Sequence, residues 1–561
     1  MRVVSPGGIA LLLALLVLFG CEGINQPCRL GAAESCRSAC RTGDARGCFV
    51  LGQMYERGEG VAADASRAAR LFRQACEAKQ MGACLALGQM YGDGRGVVRD
   101  ATKAAVQYRR ACDHGTTRAC TLLALGMAEG EKRSSESSSL LQKACESQDG
   151  LACFEQGKST KDDKKSVWLF KKGCEAGEWK ACVALAGRHE EGRGTSRDDA
   201  LAAGLYDRAC EQRVPRACAR LAILVDAGRG VDKSIERADA LYVRACELGE
   251  AASCEQLAWR MRSSAGGAKQ LKRIASLFDR ACSGGAAQSC YNLGVMMRRG
   301  EGVAKQPERA VHLFQLACRG GHAHACNNLA VMYERGIGVA ADGAMTVKLY
   351  GRACDRGDVM ACGNLAALYA GGRFVERDLN KAVELHERAC ERDHHSACRA
   401  LALIFRGGEL RPRRGGLSPK PTEADLARAV RLFSGACHAG DGPSCFELGR
   451  MYVLGRDVKR SWSKGAKLYT RGCDGGHSRS CVGLAAMYEK GRGVPLDRAR
   501  GFDLARRGCE AGDSLGCTRY GWMLSRGIGT KADQEAGKKI LRRACESGSE
   551  LGCERLKHLG G

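Results

Sequence analysis

Of the chain's 33 cysteines, 32 fall into pairs separated by seven residues, and the pairs recur along the whole sequence. They are Cys28 and Cys36, Cys40 and Cys48, Cys76 and Cys84, Cys112 and Cys120, Cys145 and Cys153, Cys174 and Cys182, Cys210 and Cys218, Cys246 and Cys254, Cys282 and Cys290, Cys318 and Cys326, Cys354 and Cys362, Cys390 and Cys398, Cys437 and Cys445, Cys473 and Cys481, Cys509 and Cys517, and Cys545 and Cys553. From Cys40 onward, successive pairs begin 36 residues apart in eleven of fourteen intervals, the exceptions being 33, 29 and 47. A constant period of this size marks an array of supersecondary units, each unable to bury its own apolar face and obliged to stack on its neighbours. Length alone would suggest three or four unlike domains for 561 residues, but the period replaces that expectation with about fifteen copies of one unit.

The remaining cysteine, Cys21, closes a different pattern. Residues 1–20 carry one positive charge, Arg2, then an apolar run from Ile9 to Phe19. The run is short for a membrane span and has the form of a secretory signal. Leu18-Phe19-Gly20-Cys21 resembles the bacterial lipoprotein box, in which the cysteine is lipidated and becomes the mature N-terminus; Phe19 departs from the small or aliphatic residue expected there. Residues 1–20 are therefore expected to be a lipoprotein signal peptide and residues 21–27 a lipidated tether. Glu22 after the cysteine, by resemblance to sorted lipoproteins, favours the outer membrane, with the chain facing the periplasm. An ordinary cleaved signal, leaving a soluble periplasmic or secreted protein, is the alternative.

Export decides how the paired cysteines are read. Zinc sites use spacings of two to four residues, and an exported chain meets oxidising conditions in which disulfides persist. Sixteen local disulfides are expected, each closing a nine-residue ring worth about 2.5 kcal/mol in the chain-entropy account. Cys28–Cys36 is the one bridge with a ready competitor, because Cys36 and Cys40 lie one helical turn apart.

Within a unit the periodicity is helical. Ala83, Leu87 and Met90 share one face, and Gly92-Asp93-Gly94-Arg95-Gly96 then breaks the helix. Asp100 suits the N-cap of a second helix with an apolar stripe of Ala101, Ala104, Ala105, Tyr108 and Ala111. Between paired cysteines, glycine is common at the third position (Gly43, Gly177, Gly357, Gly512) and aspartate at the fourth (Asp44, Asp358, Asp441, Asp513). Glycine ends one helix and aspartate caps the next, a helical hairpin turn that brings the two sulfurs together. Tyr55, Tyr91, Tyr333, Tyr369, Tyr452 and Tyr488 recur at one position and read as core residues.

This pattern resembles the Sel-one-like repeats, relatives of the tetratricopeptide repeat, most clearly in Cys326-Asn-Asn-Leu-Ala-Val-Met-Tyr-Glu-Arg-Gly-Ile-Gly-Val339 followed by Ala353-Cys354. With a disulfide in each unit, the nearer likeness is to the Helicobacter cysteine-rich protein family. The resemblance covers residues 28–557 and implies an all-α, right-handed α/α solenoid of about fifteen 36-residue helix-turn-helix repeats, each with a local disulfide. It also implies a concave groove lined by the first helices and suited to peptides or proteins.

The array is irregular at 129–166, where EGEKRSSESSS replaces the glycine loop and GKSTKDDKKS shortens the next connection. The interval of 47 carries a basic insertion at 407–422, GGELRPRRGGLSPKPT, expected to be a surface loop. Two residues beyond the second cysteine, four successive units carry an amide: Gln256, Asn292, Asn328 and Asn364. Such a row offers donors and acceptors to an extended peptide backbone without demanding its sequence.

Other chemistry is thinly represented. The formal charge of +25 suits acidic partners but says nothing of fold, and an exported chain without interleaved aromatics does not read as nucleic-acid binding. Seven histidines lie in the cysteine turns (His114, His322, His324, His394, His395, His438, His477); no acidic residue accompanies them at ligand spacing, so neither a metal nor a cofactor is expected. Resemblance to the Helicobacter family carries the alternative of weak β-lactam binding or hydrolysis. A serine β-lactamase needs Ser-x-x-Lys with Ser-Asp-Asn and Lys-Thr-Gly; this chain has Ser461-Trp-Ser-Lys464 and neither companion. The reading is an exported adaptor whose partner is an envelope protein or an extended peptide, held at the membrane only through its N-terminal lipid.

Overall fold

The computed structural model describes residue 28 and residues 33–127, 135–263, 267–407 and 421–560. Cys21, the rest of residues 1–27 and most of the 407–422 insertion lie outside the described residues. Among the described residues there are thirty helices and no strand. The chain divides into two compact units, Met1–Leu257 and Ala258–Gly561, each built from the same helix pair.

One pair shows how the sequence sets the geometry. Helix Met81–Asp93 stops at Gly94, whose φ of 74° is the left-handed conformation that glycine adopts without a side-chain clash. The chain re-enters helix at Ala101–Asp113, where the Asp100 carboxylate accepts from the Lys103 N–H at 2.9 Å. Asp64, Asp198, Asp342, Asp378, Asp497 and Asp533 cap the corresponding helices, and Ser234 and Ser461 take over where aspartate is missing.

The turn from one such pair into the next is closed covalently. Disulfides join Cys28–Cys36, Cys40–Cys48, Cys76–Cys84, Cys112–Cys120, Cys145–Cys153, Cys174–Cys182, Cys210–Cys218 and Cys246–Cys254. They also join Cys282–Cys290, Cys318–Cys326, Cys354–Cys362, Cys390–Cys398, Cys437–Cys445, Cys473–Cys481, Cys509–Cys517 and Cys545–Cys553. Cα–Cα separations run from 4.2 Å at Cys509–Cys517 to 4.8 Å at Cys390–Cys398.

The sequence placed one bridge in each unit, and the helices show where in the unit it falls. Cys76 ends the second helix of one repeat, whereas Cys84 lies in the first turn of the first helix of the next. Cys120, Cys254, Cys290, Cys362, Cys445, Cys481 and Cys553 each open a first helix in the same way. The bridges therefore tie consecutive repeats together, and in the regular repeats the chain passes between the two helices of a repeat through the glycine loop. Cys84, Cys254, Cys290, Cys362, Cys445 and Cys481 are buried, while Cys120 and Cys553 are half-buried.

The second glycine of the Gly-x-Gly loop makes a further join between one repeat and the one before. A Cβ at Gly96 would lie 2.3 Å from the Ala65 carbonyl, and one at Gly230 would lie 2.2 Å from the carbonyl carbon of Asp199. Ala65 and Asp199 each open the second helix of the preceding repeat. The loop therefore lies directly on that helix terminus, and only a residue without a side chain lets the backbones approach so closely.

Four residues before the first cysteine of each pair runs the true core ladder: Phe72, Phe170, Tyr206, Tyr242, Phe278, Phe314, Tyr350, His386, Phe433 and Tyr469 are all buried. A small residue opposite makes room for the ring, as at Gly52, where a Cβ would meet Phe72 at 2.6 Å. The tyrosines expected in the core sit at its edge instead. Tyr55 is buried, but Tyr91, Tyr333, Tyr369, Tyr452 and Tyr488 are half-buried. A basic side chain from the following helix covers most of them: Lys381 over Tyr369 at 4.5 Å and Arg500 over Tyr488 at 4.8 Å from the ring centre. In the irregular stretch, Ser135–Glu146 and Gly150–Ser159 are helical, and only Thr160, Lys161 and Asp162 separate the latter from helix Asp163–Glu175.

Candidate binding surfaces

In the first unit, the first helices of three successive repeats, Gly150–Ser159, Trp179–Glu191 and Pro215–Ala227, share a groove of about 720 Å³. Each carries the second cysteine of a pair, so the groove lies on the helices that bear the amide positions elsewhere. Ala184 and Arg220, two residues beyond Cys182 and Cys218, both line it. Its apolar floor is Phe154, Phe170, Val183, Tyr206, Val214 and Pro215, and its rim is Lys158, Lys180, Arg188, Arg193, Arg216 and Arg220, with Glu191 and Glu250 the only acids. No cysteine lines it.

The cations are held to different degrees. Arg188 and Arg193 both reach Asp163, at 2.7 and 2.9 Å, and Lys158 pairs with Glu155 at 3.2 Å. Arg220 is fixed on Glu190, a carboxylate only 7% exposed that also accepts from Tyr206 Oη at 3.1 Å and Arg229 at 3.3 Å. Burial pushes the Tyr206 phenol up to about 12, so it stays a donor to that carboxylate. Lys180 and Arg216 are exposed and have no acidic partner among the described residues. The groove thus offers apolar surface beside two uncommitted positive charges.

The amide positions are not alike. Gln256, in the first unit, is exposed; Asn292 is 5% exposed, and Asn328 and Asn364 are half-buried. In the second unit Asn292 Oδ1 accepts from Gln288 Nε2 at 3.4 Å, while its Nδ2 is buried without a partner. Asn364 Nδ2 donates to Oδ1 of Asn327, not to Asn328, at 3.1 Å. Asn327 follows Cys326 directly, and sequence spacing alone did not single it out. Gln288 also accepts from His322 at 3.0 Å, and Tyr291 stacks on the His322 ring at 4.3 Å.

The turn histidines act mainly as caps and as ties between repeats. His322 Nδ1 accepts from the Ala325 N–H at 3.2 Å, which fixes that nitrogen as unprotonated and leaves Nε2 to donate to Gln288. Burial, and then the neighbouring His324, hold the His322 imidazole below its ordinary value. His324 Nδ1 lies 2.8 Å from Oδ2 of the buried N-cap Asp358 in the next repeat. Arg399 grips Asp441 with contacts of 2.6 and 2.8 Å in the same manner. Among the described residues no three His, Cys, Asp or Glu side chains are placed to hold a metal.

Ser461 and Lys464 have a structural occupation. Ser461 N-caps helix Trp462–Asp474, its hydroxyl accepting from the Lys464 backbone N–H at 3.3 Å, in the register where other repeats carry aspartate. The Lys464 ammonium lies 5.4 Å from the Tyr452 ring centre. The Ser-x-x-Lys spacing is what a serine cap and a lysine lying over the neighbouring ring produce.

Helical hairpins of constant period, each clasped to the next and each resting on the one before, define a repeat scaffold whose exposed helix faces are its working surface. The chain belongs to the Sel1 repeat family, with matches at residues 45–79, 82–116, 145–178, 179–214, 215–250, 287–322, 323–358, 359–394, 442–477, 478–513 and 514–549. Scaffolds of this family generally serve protein–protein interaction. A Sel1 repeat protein from Oxalobacter formigenes is similar over 57% of this chain and 90% of its own, at 22% identity and a TM-score of 0.48. The protective antigen c5321 of uropathogenic Escherichia coli, with an SLR fold, is similar over 94% of this chain and 93% of its own, at 20% identity and a TM-score of 0.43. Helicobacter pylori cysteine rich protein B is similar over 26% of this chain and 100% of its own, at 23% identity and a TM-score of 0.21. No curated protein matches the chain.

Proposed function

We propose that the chain is an exported binding scaffold for extended peptides or for an envelope protein. In this reading residues 1–20 direct export, Cys21 carries the lipid that tethers residues 21–27 to the outer membrane, and the repeats of 28–557 face the periplasm. Sixteen disulfides suit an oxidising, exported compartment, and no described helix is long and apolar enough to cross a membrane. The observation that carries the binding role is the 720 Å³ groove with its apolar floor and the unpartnered Lys180 and Arg216. Apolar area supplies affinity, and fixed cations select the sign of the partner's charge. A segment mixing aromatic or aliphatic side chains with aspartate or glutamate fits that surface. Gln256 in the first unit, and Asn328 and Asn364 in the second, which keep exposed surface where Asn292 is buried, would serve a peptide backbone.

A random peptide library displayed against the full-length oxidised protein tests this. The expected result is enrichment of acidic-apolar sequences whose binding falls about tenfold or more in Lys180→Glu/Arg216→Glu, since each lost charge-assisted contact is replaced by repulsion. A second loss is expected in Asn328→Ala/Asn364→Ala. Absence of any enriched class, or binding indifferent to both variants, would overturn the proposal.

A further inference from the structure

A second cavity in the first unit, of about 440 Å³, is lined by Arg37, Arg41, Arg67 and Arg70 around the ring of Tyr55. It opens between helix Ala33–Arg41, helix Ala45–Arg57 and helix Ala65–Glu77. A cavity in the same register of the repeat lies beside Tyr333 in the second unit and measures about 260 Å³. There the corresponding side chains are Gln315, Arg319, Met345 and Lys348. Near the N-terminus all four positions are arginine and the space is larger.

Four guanidinium groups around one cavity repel one another unless an anion is shared between them. Acids within the chain meet this only in part. Arg37 pairs with Glu34, and Arg67 with Asp64 at 3.2 Å. Arg41 and Arg70 are exposed and have no acidic partner among the described residues. Tyr55, at the floor, is 8% exposed, and Arg67 lies over its ring at 5.6 Å. Hydrogen bonding from Arg37, and then from Arg67, holds the phenol below its ordinary value.

We infer that this cavity binds a phosphate group, with the four guanidiniums supplying forked donors and the Tyr55 hydroxyl a further one. Arginine suits this ligand because its planar fork meets two oxygens at once, and a phosphate has enough oxygens to engage several arginines together. A free phosphate ester and the headgroup of an anionic phospholipid present the same chemistry. The lipid source is within reach: Cys28, bridged to Cys36 beside Arg37, is seven residues from Cys21.

Two arms separate the sources. In the first, isothermal titration of the full-length oxidised protein with inorganic phosphate and with glycerol phosphate at low salt is compared with Arg41→Gln/Arg70→Gln. In the second, co-sedimentation with phosphatidylglycerol vesicles is compared with phosphatidylcholine vesicles for the same two proteins, so any N-terminal lipid contributes equally. Saturable phosphate binding weakened about tenfold or more in the variant supports a soluble ester as ligand. A phosphatidylglycerol preference lost in the variant, without soluble binding, supports the headgroup. Equal behaviour of the two proteins in both arms would overturn the site. Circular dichroism of the variant controls for folding, and the side chains exchanged are exposed. The peptide groove is lined by different residues, so failure here leaves the binding-scaffold proposal standing.

Discussion

His386 occupies a core rung that phenylalanine or tyrosine fills in the neighbouring repeats, and it makes the scaffold's stability depend on pH. The side chain is 4% exposed, its Nδ1 has no hydrogen-bond partner, and it sits four residues before Cys390, in register with Phe314, Tyr350 and Phe433. Burial, reinforced by nearby His394, lowers its pKa from 6.5 to about 4. The folded state therefore holds a neutral imidazole, while the unfolded chain takes up a proton as pH falls below 6.5. Stability from this residue is complete above the unfolded pKa and is lost on acidification down to the folded one. At about 1.4 kcal/mol for each tenfold change in proton activity, the interval is worth about 3 kcal/mol in all, and about 2.5 kcal/mol by pH 4.5. His386→Phe removes the titration and keeps a ring that the same rung accepts elsewhere. Hydrogen exchange in helix Leu379–Cys390, compared between the two proteins at matched pH, isolates the effect, because intrinsic exchange chemistry and the other histidines are common to both. The variant's protection relative to the natural chain should rise by about sixtyfold between pH 7 and pH 4.5. An unchanged ratio would refute the assignment of a neutral buried imidazole.

Three further outcomes follow from the repeat geometry. Replacing Cys210 and Cys218 together by serine should cost about 2.5 kcal/mol, and exchange should accelerate in helices Asp199–Glu211 and Pro215–Ala227 while Tyr469 and its neighbours keep their protection. Gly230→Ala combines a φ of 68° with a Cβ placed 2.2 Å from Asp199 backbone, so a loss of about 2 kcal/mol or more is expected, read as a lower urea midpoint for the first unit. Ser461→Ala removes a helix cap worth about 1 kcal/mol; nitrocefin turnover by the purified protein should be the same before and after the change, and a fall in turnover would give that serine a chemical role.

The hairpin architecture was legible because it is written in residues with few alternatives. Cysteine at a spacing of seven, glycine at the left-handed position and aspartate at the cap each perform one local task, so their recurrence translates directly into turns, ends and bridges. The core ladder was less visible because its rung tolerates Phe, Tyr, His, Leu or Ala, and no single letter repeats. The tyrosines of the Tyr91 register do repeat, yet all but Tyr55 are half-buried at the edge of the core, most of them under lysine or arginine; periodicity identified the register but not the depth. The amide row shows the same limit. Gln256 and Asn292 are equivalent in sequence, but Asn292 is buried and bonded to Gln288, whereas Gln256 is exposed. The basic groove had no motif at all, since Phe154, Lys180 and Arg216 come from three repeats and meet only through stacking. Its one sequence trace was Arg220, standing two residues beyond Cys218 in the register already noted for the amides.

Because every sulfur's mate is the next one along the chain in sixteen consecutive rings, correct pairing needs no knowledge of anything downstream. A thread emerging end-first through a narrow pore can close each clasp as soon as its second thiol appears, before a rival thiol arrives. Thirty-two thiols admit an enormous number of wrong matches, and this ordering avoids nearly all of them. The exception is the first stretch, where Cys36 and Cys40 are both available before Cys48 has emerged. Any need for a shuffling enzyme should therefore concentrate at the leading end.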